Sequence, residues 1–272
     1  MDIGTAKPTP DERRKVPHHC IDIRSPDQYF SAGEYAGLAR AKIGEIWTRD
    51  RLPVVVGGSG LYIQALVDGI FEGNYRDPEM RKQLKDRAGR EGWSALYGEL
   101  CRVDPDTALT VHANDHKRII RALEVYTLAG KPVSQIRRDE TVPGQFQSVW
   151  FGLNWPRHQL YARIDARADR MIEEGLEAEV RHLLDLGYDR SLNSLDTVGY
   201  REMLAFVNHE IAFDDAVSGI KKNTRRYAKR QLSWFRRDSR INWLQLQAGV
   251  EMDQVIGTVV SKLQSPDTAL NV

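Results

Sequence analysis

Residues 52–67 read LPVVVGGSGLYIQALV. Pro53 to Val56 is short, wholly apolar and rich in β-branched residues, the pattern of a parallel strand buried on both faces. Gly57, Gly58 and Gly60 follow as a tight turn, and Leu61 to Val67 begins a helix. Strand, turn and helix in that order would aim backbone N–H groups and a positive helix end at an anion. The turn is not a Walker A loop, because GxxxxGK[ST] occurs nowhere in the chain. Taken alone, the glycines serve equally well for a close approach of helix and strand.

Upstream, residues 1–10 carry Gly4, Pro8 and Pro10 and read as a loop, and HHCIDIR at 18–24 reads as a short extended piece. Ser31 and Glu34 form a capping box for a helix over about 32–48. Downstream, residues 68–140 are polar and helical in pattern. One helix is predicted over 78–88, with Pro78 in its first turn and Gly89 past its end. Another covers DHKRIIRALEVYTLAG, capped by Asp115 and stopped by Gly130. Lys117, Arg118 and Arg121 put positive charge where the helix dipole is already positive, a mismatch that a bound anion resolves. QSVWFGL at 147–153 alternates as a strand returning to the sheet. A single long helix is predicted over about 159–186, with Arg163, Arg167 and Arg170 on one face and Asp165 and Asp169 available to pair with them. Residues 187–199 read as a loop, 241–244 as a last strand, and the tail from Ser265 as frayed.

The stretch KKNTRRYAKRQLSWFRR at 221–237 holds eight basic residues and no acid. It lacks Pro and Gly and reads as a helix. Ala228, Leu232 and Phe235 recur on one face, while Lys222, Arg226, Lys229 and Arg236 recur on another. The cationic side suits a polyanion, and Tyr227 and Trp234 offer rings for base stacking or core packing. A solvated face or a membrane-surface segment has the same pattern.

With 39 basic and 38 acidic residues the net charge is +1, so any nucleic-acid contact must come from patches. A composition of 41% hydrophobic and 28% charged residues is that of an ordinary globular chain, in one large domain or two smaller ones. No apolar run is long enough to span a bilayer, and residues 1–15 lack a signal core. Cys20 and Cys101 have no CxxC partner and read as free thiols in a reducing cytoplasm. His18, His19 and Cys20 are adjacent, and adjacent side chains do not converge on one zinc ion without other ligands.

Seven stretches together resemble the tRNA dimethylallyltransferases, also called tRNA isopentenyltransferases. They are MDIGTAKP at 1–8, PHHCIDI at 17–23, VVVGGSGLY at 54–62, HANDHKRIIRALEV at 112–125, RIDARADRMIEEGLEAEV at 163–180, TVGYREM at 197–203 and RRYAKRQLSWFR at 225–236. They stand in family order over nearly the whole chain. Members of that family begin with a strand and a GPTASGKT-type P-loop, then a strand bearing an Asp-Ser pair, before reaching MDIGTAKP. By that comparison the first strands, the P-loop and the catalytic aspartate are missing, and the 272 residues are expected to be inactive alone. Ser59 stands where the family commonly has threonine.

The resemblance implies an α/β, P-loop-kinase-like parallel sheet core at 1–67 and 141–272, with a helical insertion at 68–140 that grips the anticodon stem-loop. It implies transfer of a dimethylallyl group from dimethylallyl diphosphate to N6 of the adenine 3′-adjacent to the anticodon, with Mg²⁺ helping the diphosphate leave. Such an enzyme would be cytoplasmic and monomeric, with no membrane contact. Arg167 would be the catalytic residue, facing the diphosphate with a planar fork that Lys cannot reproduce. The expected tRNA contacts are Ser59 and Arg81, then Lys117, Arg118, Ile119, Ile120 and Arg121. Asp196, Thr197, Val198, Gly199, Tyr200 and Arg201 form a further group. The last is Lys229, Arg230, Gln231, Leu232, Ser233, Trp234, Phe235 and Arg236. The alternative is a non-catalytic RNA-binding module that keeps the basic surfaces and binds no diphosphate.

Overall fold

The computed structural model describes residues 1–71, 73 and 75–264, so the fraying expected from Ser265 lies outside the described residues. The first elements are α1 (Pro10–Lys15), α2 (Ala32–Trp47), α3 (Gly60–Val67), α4 (Pro78–Glu91) and α5 (Trp93–Val103). Next come α6 (Pro105–Thr110), α7 (His116–Ala129), α8 (Val133–Glu140), β1 (Trp150–Asn154) and α9 (Arg157–Glu173). The chain continues with α10 (Leu176–Asp185), α11 (Tyr200–Val207), α12 (Phe213–Phe235), β2 (Ile241–Gln245) and α13 (Met252–Leu263). β1 and β2 pair in parallel, with Trp150 opposite Ile241 and Asn154 opposite Gln245. The class is thus α/β, mostly helical, with a small parallel sheet. Among the described residues no helix is long and apolar enough to cross a membrane.

The chain forms two compact units. One comprises residues 1–31, 41–60 and 145–272; the other comprises 32–40 and 61–144. In the first, α9, α10, α11 and α12 bury Met171, Leu176, Val180, Tyr200, Met203 and Ile220 in one cluster. In the second, α4 to α8 close around Leu96, Leu100, Ile119, Leu123, Val125 and Ile136. The helix ends follow local chemistry. Asp115 accepts the Arg118 N–H at 3.2 Å to open α7, and Gly130 at φ +67° closes it.

Residues 53–56 form no strand: among the described residues nothing hydrogen-bonds to them as a ladder, and Val54 and Val56 are 74% and 90% exposed. A buried parallel strand exists only with neighbours on its edges and helices on its faces, and apolar composition cannot supply them. Residues 18–24 are a bent loop, not an extended piece, because Cys20 and Asp22 sit at φ +61° and +57°. Lys7 bridges Asp2 and Asp22 there, and Arg13 meets Asp22 at 2.8 Å. The long helix over 159–186 is two: Gly175 at φ +97° breaks it between α9 and α10. Helix α4 runs through Gly89 and stops instead at Gly92, at φ +86°.

Candidate functional site

Helix α12 is anchored by its first half. Ala216 and Ile220 are buried, and Asp214 and Asp215 sit at the positive end of the helix dipole. Two ion pairs then fix its rotation. Arg225 forks onto Asp165 at 2.7 Å, and Lys221 meets Asp169 at 2.5 Å. Both pairs link residues four apart on α9 to residues four apart on α12, which sets the two helices antiparallel. Asp165 and Asp169 are therefore occupied by α12, not by the arginines of their own helix.

This leaves the opposite side of α12 cationic. Lys222, Arg226, Lys229, Arg230, Arg236 and Arg237 are all exposed, and none has an acid within ion-pair distance among the described residues. Arg226 donates to Asn223 Oδ1 at 3.3 Å, and Arg230 lies over the Tyr227 ring, 5.7 Å from its centre. Tyr227 and Trp234 keep about two-fifths of their surface open, which leaves part of each ring available for stacking. Leu232 and Phe235 are half-buried, while Ser233 and Arg236 are exposed.

The glycine turn is clamped to the end of this helix. Gln231 donates through Nε2 to the Gly58 carbonyl at 2.9 Å. A Cβ on Gly58 would collide with Gln231, and one on Gly60 would collide with the Trp234 indole. Ser59 is held exposed between these two contacts. The sequence-predicted residues Ser59, Gln231 and Trp234 are thus brought together, and the glycines serve close approach. Gly60→Ala is expected to cost about 1 kcal/mol, the low end for overpacking, because Trp234 is partly free to move. Gly57→Ala, where a Cβ meets nothing, should melt no lower than the parent chain. Thermal melts of the two variants side by side check this.

The 196–201 segment is divided. Asp196, Thr197 and Arg201 are exposed, Val198 is half-buried, and Gly199 and Tyr200 are buried. Tyr200 donates to Glu179 Oε2 at 2.9 Å, and its burial and the Glu179 charge push its hydroxyl pKa well above the usual phenol range. It contributes its ring to the core and remains protonated. Arg167, on α9, keeps open surface and has no partner among the described residues. Neighbouring protein, and second the like charge of Arg170, hold its pKa below the ordinary arginine value. An unpaired guanidinium in such a place gains from an incoming anion.

In the helical unit the predicted contacts separate in the same way. Lys117 and Arg118 are exposed, with Arg118 3.3 Å from Asp115. Ile119 and Ile120 are core residues, so their side chains cannot meet a ligand. Arg81 and Arg121 both serve Glu124, which is fully buried: Arg81 reaches its two oxygens at 2.7 and 2.9 Å, and Arg121 reaches it at 2.9 Å. Glu124 also accepts the Asp77 N–H at 2.9 Å. Burial raises the Glu124 pKa, but the Arg81, Asp77 and Arg121 donors outweigh it and hold the carboxyl below its usual range. Reading the sequence missed Glu124, Glu179, Glu202 and Asn223, whose partners are set by the tertiary fold. Among the described residues no three His, Cys, Asp or Glu side chains gather to hold a metal.

The IPP transferase family model matches residues 1–238. The tRNA dimethylallyltransferase of Pelotomaculum thermopropionicum is 45% identical over 248 residues, covering 91% of this chain and 79% of that protein. That of Geobacter metallireducens is 42% identical over 261 residues, covering 96% and 84%. The crystal structure of the full-length tRNA isopentenylpyrophosphate transferase of Bacillus halodurans matches with a TM-score of 0.68 at 38% identity, over 97% of this chain and 82% of that one. A eukaryotic dimethylallyltransferase acting on tRNA shares the fold, with a TM-score of 0.79 at 24% identity over 99% and 71%. By the extent of these matches, the chain belongs to the IPP transferase family, the tRNA dimethylallyltransferases.

Proposed function

We propose that the protein transfers a dimethylallyl group from dimethylallyl diphosphate to N6 of the adenine 3′-adjacent to the anticodon of tRNA. The observation that carries this reading is the unneutralised side of α12, with the Ser59 turn clamped onto its end by Gln231 and Trp234. Six cations in a row without acids fit the phosphates of an RNA backbone, each contact releasing a counterion. Ser59 and Trp234 sit where an unstacked base could be met by a hydroxyl and a ring. Lys117 and Arg118 give the helical unit its own phosphate contacts.

In the reaction the bond from the prenyl carbon to the diphosphate oxygen breaks, and a bond from that carbon to N6 forms. The adenine amine loses a proton to a base, and the diphosphate departs with the bonding electrons. Arg167 receives that growing charge, which is the differential stabilisation that accelerates the step. The core is read as P-loop-kinase-like, and the enzyme as a cytoplasmic monomer using Mg²⁺. Neither a general base nor a Walker-type loop is assigned among the 272 residues.

The test is incorporation of labelled dimethylallyl into tRNA. In a form that also carries a P-loop and the aspartate-bearing strand, label should enter tRNA with adenine beside the anticodon and not tRNA with guanine there. Intact stem-loop binding with no incorporation by that form would favour a non-catalytic RNA-binding module. Multiple turnover by the 272 residues alone would place a base and a phosphate loop within them.

A further inference from the structure

Glu202 lies in the first turn of α11 and is buried, on the side of the helix that faces α12. Its carboxylate accepts three hydrogen bonds. The Gly199 N–H donates at 2.8 Å, Arg201 donates through a guanidinium nitrogen at 2.9 Å, and Asn223 of α12 donates through Nδ2 at 2.8 Å. Gly219 of α12 passes beneath it, and a Cβ there would stand 3.2 Å from Glu202 Cγ. An ionised carboxylate only accepts, so the Asn223 amide must turn its NH₂ inward. Its Oδ1 then faces outward, where it accepts from Arg226 at 3.3 Å. One buried acid thus reaches two exposed guanidinium groups on two helices, sharing Arg201 with Asp196, which lies 3.4 Å from it. Glu202 meets Arg201 directly and Arg226 through one amide.

We propose that Glu202 is a positioning residue for the tRNA-binding surface, setting Arg226 through Asn223, and that Arg226 is itself a phosphate contact. The inference rests on the reading of the cationic side of α12 as the tRNA face. A free arginine side chain must give up rotamer freedom when it meets a phosphate. Holding it in advance removes part of that cost, which is preorganisation. Asn223 suits the relay because its two ends differ, one donating to the acid and the other accepting from the cation. An acid in direct contact with Arg226 would order it too, but would neutralise the charge the phosphate needs.

The experiment is a double-variant cycle on anticodon stem-loop binding, measured over a range of salt with the full chain. Arg226→Ala should reduce the salt slope by about 0.7–0.9, the value of one phosphate contact. Asn223→Ala should weaken binding roughly threefold or more at low salt, an expectation that scales with one lost charged contact. The double variant should bind no more weakly than Arg226→Ala alone, because Asn223 acts through Arg226. A network that only holds α11 to α12 would instead give a lowered Tm, an unchanged slope and additive effects. Glu202→Ala, read beside its own melting curve, should weaken binding at least as much as Asn223→Ala, because it removes the acceptor that orients the Asn223 amide. Additive losses, or full affinity in Asn223→Ala with loss in Arg226→Ala, would overturn the positioning role while leaving the tRNA face intact. Unchanged slopes in both Arg226→Ala and Arg230→Ala would overturn the tRNA face and the positioning role together.

Discussion

Arg167→Ala is expected to lower prenyl-transfer turnover by about 10²–10³-fold, the loss typical of removing one donor from a site of developing negative charge. The expectation applies to a form of the protein that turns over. Its basis is that Arg167 has no partner to lose among the described residues, so its truncation strands no acid. The acids a residue or two away on α9 are already held, Asp165 by Arg225 and Asp169 by Lys221. Thermal melting should therefore stay nearly unchanged. Arg167→Lys should recover little, because a point charge cannot reproduce the two parallel bonds of the guanidinium fork. Steady-state kinetics beside a melting curve separates the cases. A large drop in Tm with normal turnover per folded molecule would make Arg167 a residue of the fold.

The second large effect is in the helical unit and concerns stability. Glu124→Ala removes the acceptor of Arg81, Arg121 and the Asp77 N–H at once. Breaking a buried pair by deleting one partner costs about 3–5 kcal/mol, and the open surface of both arginines places this case at the low end. The pH dependence has a definite sign. The folded carboxyl titrates below its ordinary value, so its contribution is complete above the ordinary glutamate pKa of about 4.3. It is lost as pH falls through the lower, folded value. Denaturant unfolding of the parent chain should show an acid limb that Glu124→Gln flattens. An acid limb of equal depth in that variant would show that other carboxylates set it. By the same geometry the charges of Arg81 and Arg121 are already matched by an acid, whereas Lys117 is exposed without one among the described residues.

Local features of the fold could be read in the chain. Asp115 and Gly130 mark the ends of α7 because caps act within one turn. The cationic face of α12 follows from period and composition, as do the strands expected at 147–153 and 241–244 and found at 150–154 and 241–245. Other features depend on distant partners. Val54 to Val56 has the composition of a buried strand and is exposed, because a ladder is made by neighbours. At Gly175 the buried positions slip out of step, from Ile164, Ala168 and Met171 to Leu176, Val180 and Leu183, and the left-handed backbone there makes the break. Within the site, the exposed cations were legible from charge, and Ser59 from its motif. The acids that order them were not. Glu124 meets Arg81 across 43 residues, and Glu202 meets Asn223 across 21. A buried carboxylate in a helix looks like any surface glutamate until its donors are placed around it.

In the proposed function, exposed cations on α12 and at the start of α7 bind the phosphates of an anticodon stem-loop. The most direct test is the salt dependence of stem-loop binding by the parent chain and by the double variant Arg118→Glu, Arg230→Glu. The parent should lose affinity steeply as salt rises, and the double variant should flatten the slope by about two contacts' worth, roughly 1.4–1.8. Equal slopes for the two proteins would contradict the claim and leave the basic stretch as a solvated face.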